Sequence, residues 1–308
     1  MRTYALALEG IKAEPDDILA ASVKTTAGSI NALVESYYRL VFPTVGEGTR
    51  AMRRGVLERF RREYGALPVR GLKGRHVAAI IASKAKTPDA ANNLRKILRH
   101  LFEHAIALGM VEHNPVVGVK RLKTKGRGLH CWTDDEIERY RAFWPRGTQQ
   151  RLAMELALET TSRRADVSRI GPPHRRVTSD GEVLDLRHTK NNSEAFLPLT
   201  DELRAAIDAC PTKHLTYLHT QAGMPRSAKA LGGDFRKWCD AAGLPKHCTI
   251  HGLRKASMRR GAEAELTTRE LMALSGHKTY AEVQRYTDAA DKARLARQAI
   301  AKLRKRTK

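Results

Sequence analysis

The second half of the chain carries a set of cations and imidazoles followed by one tyrosine: Arg163, Lys190, His251, Arg254, His277 and Tyr286. These are the side-chain types that act on a phosphodiester. Two guanidiniums grip non-bridging oxygens in fork geometry and hold the charge that builds there, which lysine does less well. A tyrosine, with a pKa near 10 when free, becomes a competent nucleophile once cations surround it and an acceptor takes its proton. The arginines and His251 could supply both. A mobile ammonium such as Lys190 can protonate a departing oxygen, and His277 can add a hydrogen bond to the phosphate. Taken singly, each residue is weak. His251-Gly252-Leu253-Arg254 is the only H-x-x-R among 12 histidines, yet a chain this rich in arginine is expected to hold about one by chance. Order and spacing carry the information.

Other chemistries have no signature. There is no G-x-x-x-x-G-K-[ST], no G-x-G-x-x-G opening a βαβ unit, no H-E-x-x-H and no G-x-S-x-G, so no nucleotide or other cofactor is expected. Lys and Arg number 56 against 33 Asp and Glu, for a net charge of +23. Solubility asks for only about 2 to 8 on a small domain, so the surplus points to a polyanion, nucleic acid first and an acidic membrane second. No apolar run approaches the roughly 20 residues that span a bilayer. Glu9 comes too early for a secretory signal, and a cytoplasmic protein is expected. Cys131, Cys210, Cys239 and Cys248 are irregularly spaced and read as buried thiols. His247-Cys248 with His251 and Cys239 suggests zinc, but no C-x-x-C accompanies them to pair up a zinc knuckle, and no metal is expected.

The elements that must position these residues follow from periodicity. Residues 1–26 form a mixed-charge tail without the basic character of the rest. Ile30, Leu33, Val34, Tyr37, Tyr38 and Val41 make one helical stripe, and Met52, Val56, Leu57, Phe60 and Tyr64 a second that stops at Gly65. Val77, Ile80 and Ile81 mark a third helix. Thr87-Pro88 opens a long fourth, closed by Gly109. Gly118 to Gly128 holds Lys120, Arg121, Lys123, Lys125 and Arg127 among three glycines. This is the composition of a mobile linker that touches phosphate. Thr133 to Glu136 is a capping box. Around Ser179-Asp180-Gly181 the period changes to two, so 182–187 and 195–199 read as strands joined by a polar turn at Asn191-Asn192-Ser193. Helices then return. The fold class is mainly α with a small antiparallel β-sheet, an α+β arrangement. Four segments are expected: a tail, 1–26; a helical domain, 27–117; a basic linker, 118–130; and a second domain, 131–308.

From about Thr25 to Lys308 the chain resembles the tyrosine recombinases, the phage-integrase-like family. Thr160-Thr161-Ser162-Arg163-Arg164-Ala165-Asp166 matches that family's T-G-x-R-x-x-[DE] segment, with threonine for glycine at 161. His188-Thr189-Lys190 before Leu197-Pro198-Leu199 resembles its lysine hairpin, with Lys213 and Lys278 as nearby rivals. His251 to Arg254 is its H-x-x-R box. Leu274-Ser275-Gly276-His277, followed nine residues later by Tyr286, is similar to its L-G-H box and nucleophile segment. Tyr280 stands only three residues after His277, and register with the motif favours Tyr286. Gly109 to Pro115 is similar to the end of the family's core-binding domain.

The resemblance implies a site-specific recombinase or integrase of a phage or other mobile element, breaking and rejoining double-stranded DNA through a 3′-phosphotyrosyl link. The link keeps the bond energy, in agreement with the missing nucleotide motif. It implies a homo-tetramer on two DNA sites, a monomer or weak oligomer when free, and leaves room for a directionality factor. The rivals are a type IB topoisomerase that relaxes DNA and a catalytically inactive DNA-binding accessory protein. Leu295, Ala299 and Leu303 form a narrow apolar stripe near a basic terminus. In this family such a helix docks on the neighbouring protomer.

Overall fold

The computed structural model describes residues 25–124, 128–189 and 192–306. It divides into two compact units, Met1–Lys125 and Gly126–Lys308. Nearly all of the expected tail, along with Lys125, Arg127, Lys190 and Asn191, lies outside the described residues.

The first unit consists of α1 (Ile30–Leu40), α2 (Glu47–Tyr64), α3 (Gly74–Ser83) and α4 (Pro88–Ala107) around one core. Each expected stripe becomes the buried face of its helix: Ile30, Leu33, Val34 and Tyr37 of α1 are within 1% of fully buried. Ser29 caps α1 by accepting from Ala32 N at 3.2 Å. Gly65 does end α2, through close approach rather than through a left-handed turn. Its φ is −59°, and a Cβ there would meet Asn31 Oδ1 at 2.1 Å. Thr87 stands at the N-cap of α4, but its hydroxyl donates back to Lys84 O and caps nothing.

The expected mobile linker is held along its first part. Asn92 of α4 is 8% exposed. Its buried amide needs partners, and it donates from Nδ2 to Leu122 O and accepts from Leu122 N, both at 2.9 Å. Arg95 Nε donates to Val119 O at 2.5 Å. The exposed side chains of Lys120, Arg121 and Lys123 therefore project from a tethered segment.

The second unit runs α5 (Asp134–Phe143), α6 (Gln149–Glu159), α7 (Arg164–Val167), β1 (Arg175–Thr178), β2 (Gly181–Arg187), β3 (Glu194–Pro198), α8 (Asp201–Asp208), α9 (Ala228–Ala241), α10 (Ile250–Glu263), α11 (Thr268–Ser275) and α12 (Tyr280–Arg306). Helix α6 is buried along nearly its whole length. Its two buried charges are paired: Arg151 Nε meets Glu155 Oε1 at 2.5 Å, and Arg141 grips both Glu155 oxygens at 3.0 and 2.9 Å. Without those partners a carboxylate fully out of water would cost several kcal/mol.

The sheet is antiparallel in the order β1-β2-β3. Leu184 pairs with Leu197 and Leu186 with Ala195. All four are buried, and the period-two alternation of β2 and β3 points them into the core. Strand β1 has no such signature, because Arg175 to Thr178 alternate nothing apolar inward. It is held on the edge by pairing with β2 and by the bidentate ion pair of Arg175 with Glu182. The fold is thus mainly helical with one small sheet. Among the described residues, no helix is long and apolar enough to cross a membrane.

Candidate active site

Arg163 is the N-cap of the short helix α7 and follows a turn with an unusual residue. Thr161 has φ +49°, a conformation that L side chains occupy at a cost of about 1–3 kcal/mol and that the glycine expected here adopts freely. What holds the threonine is visible: its buried hydroxyl donates to Leu274 O at 2.7 Å. The substitution at 161 thus keeps the turn and adds a tie to the end of α11. Arg163 is half-buried, and its Nη1 is buried with no hydrogen-bond partner among the described residues.

Arg254 projects from α10 and is 4% exposed. Its Nη1 donates to Thr161 O, and its Nη2 donates to Ser275 O at 3.0 Å and to His277 Nε2 at 2.9 Å. Burial lowers its pKa to about 10, and the like charge of Arg163 adds to the effect. Arg254 is charged at neutral pH, but its bonds among the described residues are to neutral groups. Two guanidiniums that disfavour each other are a site prepared for an anion.

Gly276 ends α11 at φ +62°. A Cβ there would lie 2.4 Å from His188 Cδ2, so glycine serves both the left-handed turn and the close approach. The turn places His277 beneath Arg254. Ser275 Oγ donates to Leu271 O at 2.6 Å and so has its lone pairs left for His277 Nδ1, also at 2.6 Å. The tautomer follows from this network: Nδ1 carries the proton, and Nε2 accepts from Arg254. Burial first, and then the Arg254 charge, lower the His277 pKa to about 4. His277 is therefore neutral and engaged at both nitrogens. In this arrangement it positions Arg254, and the phosphate bond expected of it would need Nε2 to be released.

His251, in the first turn of α10, is exposed. Desolvation, followed by the charges of Arg254, Lys255, Arg163 and Arg164, holds its pKa below the usual histidine value. A neutral imidazole at neutral pH is one that can accept a proton. Tyr286 is half-buried on α12 and packs against a small cluster of Met258, Ala262, Leu271 and Val283. Arg285 covers its ring at 4.9 Å and donates to its hydroxyl at 3.3 Å. Tyr286 lies close enough to Arg254 for a charge formed on its oxygen to favour the charged arginine. Tyr280, the rival, is 50% exposed at the start of α12, its hydroxyl taken by Arg269 Nε at 3.0 Å.

The structure thus brings Arg163, His251, Arg254, His277 and Tyr286 together. Lys190 lies outside the described residues. Its neighbours show how the hairpin is fixed. Asp166 Oδ1 accepts from Thr189 N at 2.8 Å and from Thr189 Oγ1 at 2.7 Å, and Oδ2 accepts from the buried His188 Nδ1 at 3.3 Å. Burial opposes ionisation of Asp166, but these bonds outweigh it and lower the pKa to about 2. Asp166 and Ser275 hold candidate site segments in place through contacts that the sequence alone does not assign. The motif acid three residues after Arg163 is the available signal for the first. Of the expected phosphate-binding cations, Lys120, Arg121 and Lys123 are exposed.

The family model "Phage integrase family" matches residues 132–293. The integrase of Escherichia phage HK022 is 26% identical over 245 residues, 74% of this chain and 67% of that protein. The integrase of Enterobacteria phage 434 is 25% identical over 248 residues, 75% and 68% of the two. In fold, the chain is similar to lambda integrase in a tetramer bound to a Holliday junction, with TM-score 0.74 at 22% identity over 92% of this chain and 84% of that one. It is also similar to the Tn1549 transposon integrase in complex with a circular intermediate DNA, with TM-score 0.71 at 18% identity over 88% and 100%. The family match spans just over half the chain and contains all five gathered residues, so the chain belongs to the phage integrase family and is a tyrosine-type site-specific DNA recombinase.

Proposed function

We propose that Tyr286 attacks a scissile phosphate gripped by Arg163 and Arg254, forming a 3′-phosphotyrosyl link and releasing a 5′ hydroxyl. The observation that carries this reading is the pair of mutually repelling guanidiniums, one with a buried nitrogen that has no partner among the described residues, both on the unit that holds Tyr286. A pentavalent phosphate would supply the missing acceptors and offset the repulsion, and its excess charge is greatest in the transition state. His251 accepts the tyrosine proton, and Lys190 gives a proton to the leaving oxygen. Asp166 positions the lysine hairpin and Ser275 orients His277, which holds Arg254 and can turn Nε2 to the phosphate when that bond is released.

The partner is double-stranded DNA, drawn by the net charge of +23 and contacted in part by Lys120, Arg121 and Lys123 beside Lys125 and Arg127. Segment 27–117 serves as the core-binding domain and 131–308 as the catalytic domain. By analogy with the lambda integrase tetramer on a Holliday junction, four protomers exchange strands between two sites in the cytoplasm. A binding selection from randomised duplexes, followed by nicking of the winning site, tests this. A covalent DNA adduct whose linked peptide contains Tyr286 is expected. Plasmid relaxation without joining of two sites would point to a topoisomerase instead.

A further inference from the structure

We propose that His130, Glu136, His247 and Cys248 form a structural site for a borderline-soft divalent cation, zinc by its chemistry, separate from the catalytic centre. Sequence spacing pairs His247 and Cys248 with His251 and Cys239. The fold gives them different company. One ligand atom from each of His130, Glu136, His247 and Cys248 lies within 4.8 Å of all the others. A tetrahedral zinc with bonds of about 2.0 Å to nitrogen and oxygen and about 2.3 Å to sulfur has edges of about 3.3–3.6 Å. One edge already has that length: His247 Nε2 stands 3.4 Å from Glu136 Oε1. His130 Nε2 is hydrogen-bonded to the other oxygen, Glu136 Oε2, at 2.7 Å and would exchange that bond for the metal.

The donor set suits this ion. One thiolate, two imidazoles and one carboxylate are the ligands that select zinc over calcium or magnesium. Cys248 is fully buried, so the sulfur side of the site is closed to water, whereas the exposed His247 leaves an entry path and can move inward by side-chain rotation. The carboxylate is oriented from outside, since Thr133 N donates to Glu136 Oε2 at 2.8 Å. All four residues lie in the second unit.

The position gives the site a role. His247 and Cys248 immediately precede α10, which carries His251 and Arg254, while His130 and Glu136 stand at the start of the same unit. The two segments already touch: Trp132 Nε1 donates to Thr249 O at 3.0 Å, and a Cβ on Gly252 would lie 2.6 Å from His130 O. A cation here would staple the N-terminus of the catalytic helix to the entrance of the unit.

The test is a titration of the metal-stripped full-length chain with cobalt(II), without DNA. One equivalent is expected to give tetrahedral visible bands with a thiolate-to-cobalt charge-transfer band, and zinc is expected to displace it and raise the thermal midpoint. Cys248→Ser should lose the charge-transfer band. His247→Ala, at an exposed position, should keep its far-ultraviolet circular dichroism and bind roughly 10-fold or more weakly. Cys131→Ser should behave as wild type. Absence of the charge-transfer band in wild type, or its survival unweakened in both His247→Ala and Cys248→Ser, would overturn the proposal.

Discussion

Arg254 donates through Nη2 to Nε2 of His277 at 2.9 Å, which fixes the imidazole as an acceptor and makes the placement of Arg254 depend on a histidine proton. A folded-state pKa of about 4 for His277, against about 6.5 unfolded, means that the unfolded chain binds the proton more readily. The stability from this neutral histidine is fully present above about pH 6.5 and is lost as pH falls through about 4. Wild type should therefore lose about 3 kcal/mol more than His277→Asn across that window, by denaturant unfolding. Equal pH slopes in the two proteins would show that this bond does not govern the arginine.

Thr161 provides a second measure. Thr161→Gly relieves the strained φ but gives up the hydroxyl bond to Leu274, so its net effect should stay within about 1 kcal/mol. Thr161→Val keeps the strain and leaves Leu274 O without its donor, and should cost about 1–3 kcal/mol in thermal or urea unfolding. A valine variant more stable than the glycine variant would show that the hydroxyl is not what holds the turn.

Legibility in the sequence follows locality. Arg163, His251, Arg254, His277 and Tyr286 are readable because each sits in a short stretch whose spacing survives in the fold. The helical stripes are readable because a 3.6-residue period survives burial. What escapes depends on meetings of distant segments. The tethering of Leu122 by Asn92 and of Thr189 by Asp166, and the meeting of His130 with His247, have no local pattern. Strand β1 escapes because an exposed edge needs no apolar alternation. The Thr87 cap fails because its hydroxyl finds Lys84 O, an alternative open to any threonine at a turn.

The tethered basic segment should contribute position without chemistry. Alanine at Lys120, Arg121 or Lys123 is expected to weaken DNA binding at all sequences and reduce the slope of log affinity against log salt by about 1 for each phosphate no longer neutralised. Cleavage of bound DNA should be unchanged, and should need neither magnesium nor ATP. Binding that stays flat from about 50 to 200 mM salt would contradict an electrostatic grip.

Helix α12 divides into two parts. Val283, Tyr286 and Ala290 pack on the catalytic unit, whereas Leu295 and Ile300 are 55% and 51% exposed. Deleting residues 291–308 should leave single-site binding nearly intact while reducing recombination and synaptic tetramers far more. Light scattering on DNA that finds normal tetramers, with only salt-sensitive affinity reduced, would assign the helix end to phosphate binding alone.

The central claim is that Tyr286 is the nucleophile, and the direct measurement is covalent trapping on a nicked suicide substrate carrying the selected site. Tyr286→Phe should bind that DNA with wild-type affinity and form no adduct, while Tyr280→Phe should form the adduct normally. An adduct formed by Tyr286→Phe, or absent in Tyr280→Phe with binding intact, would contradict the assignment.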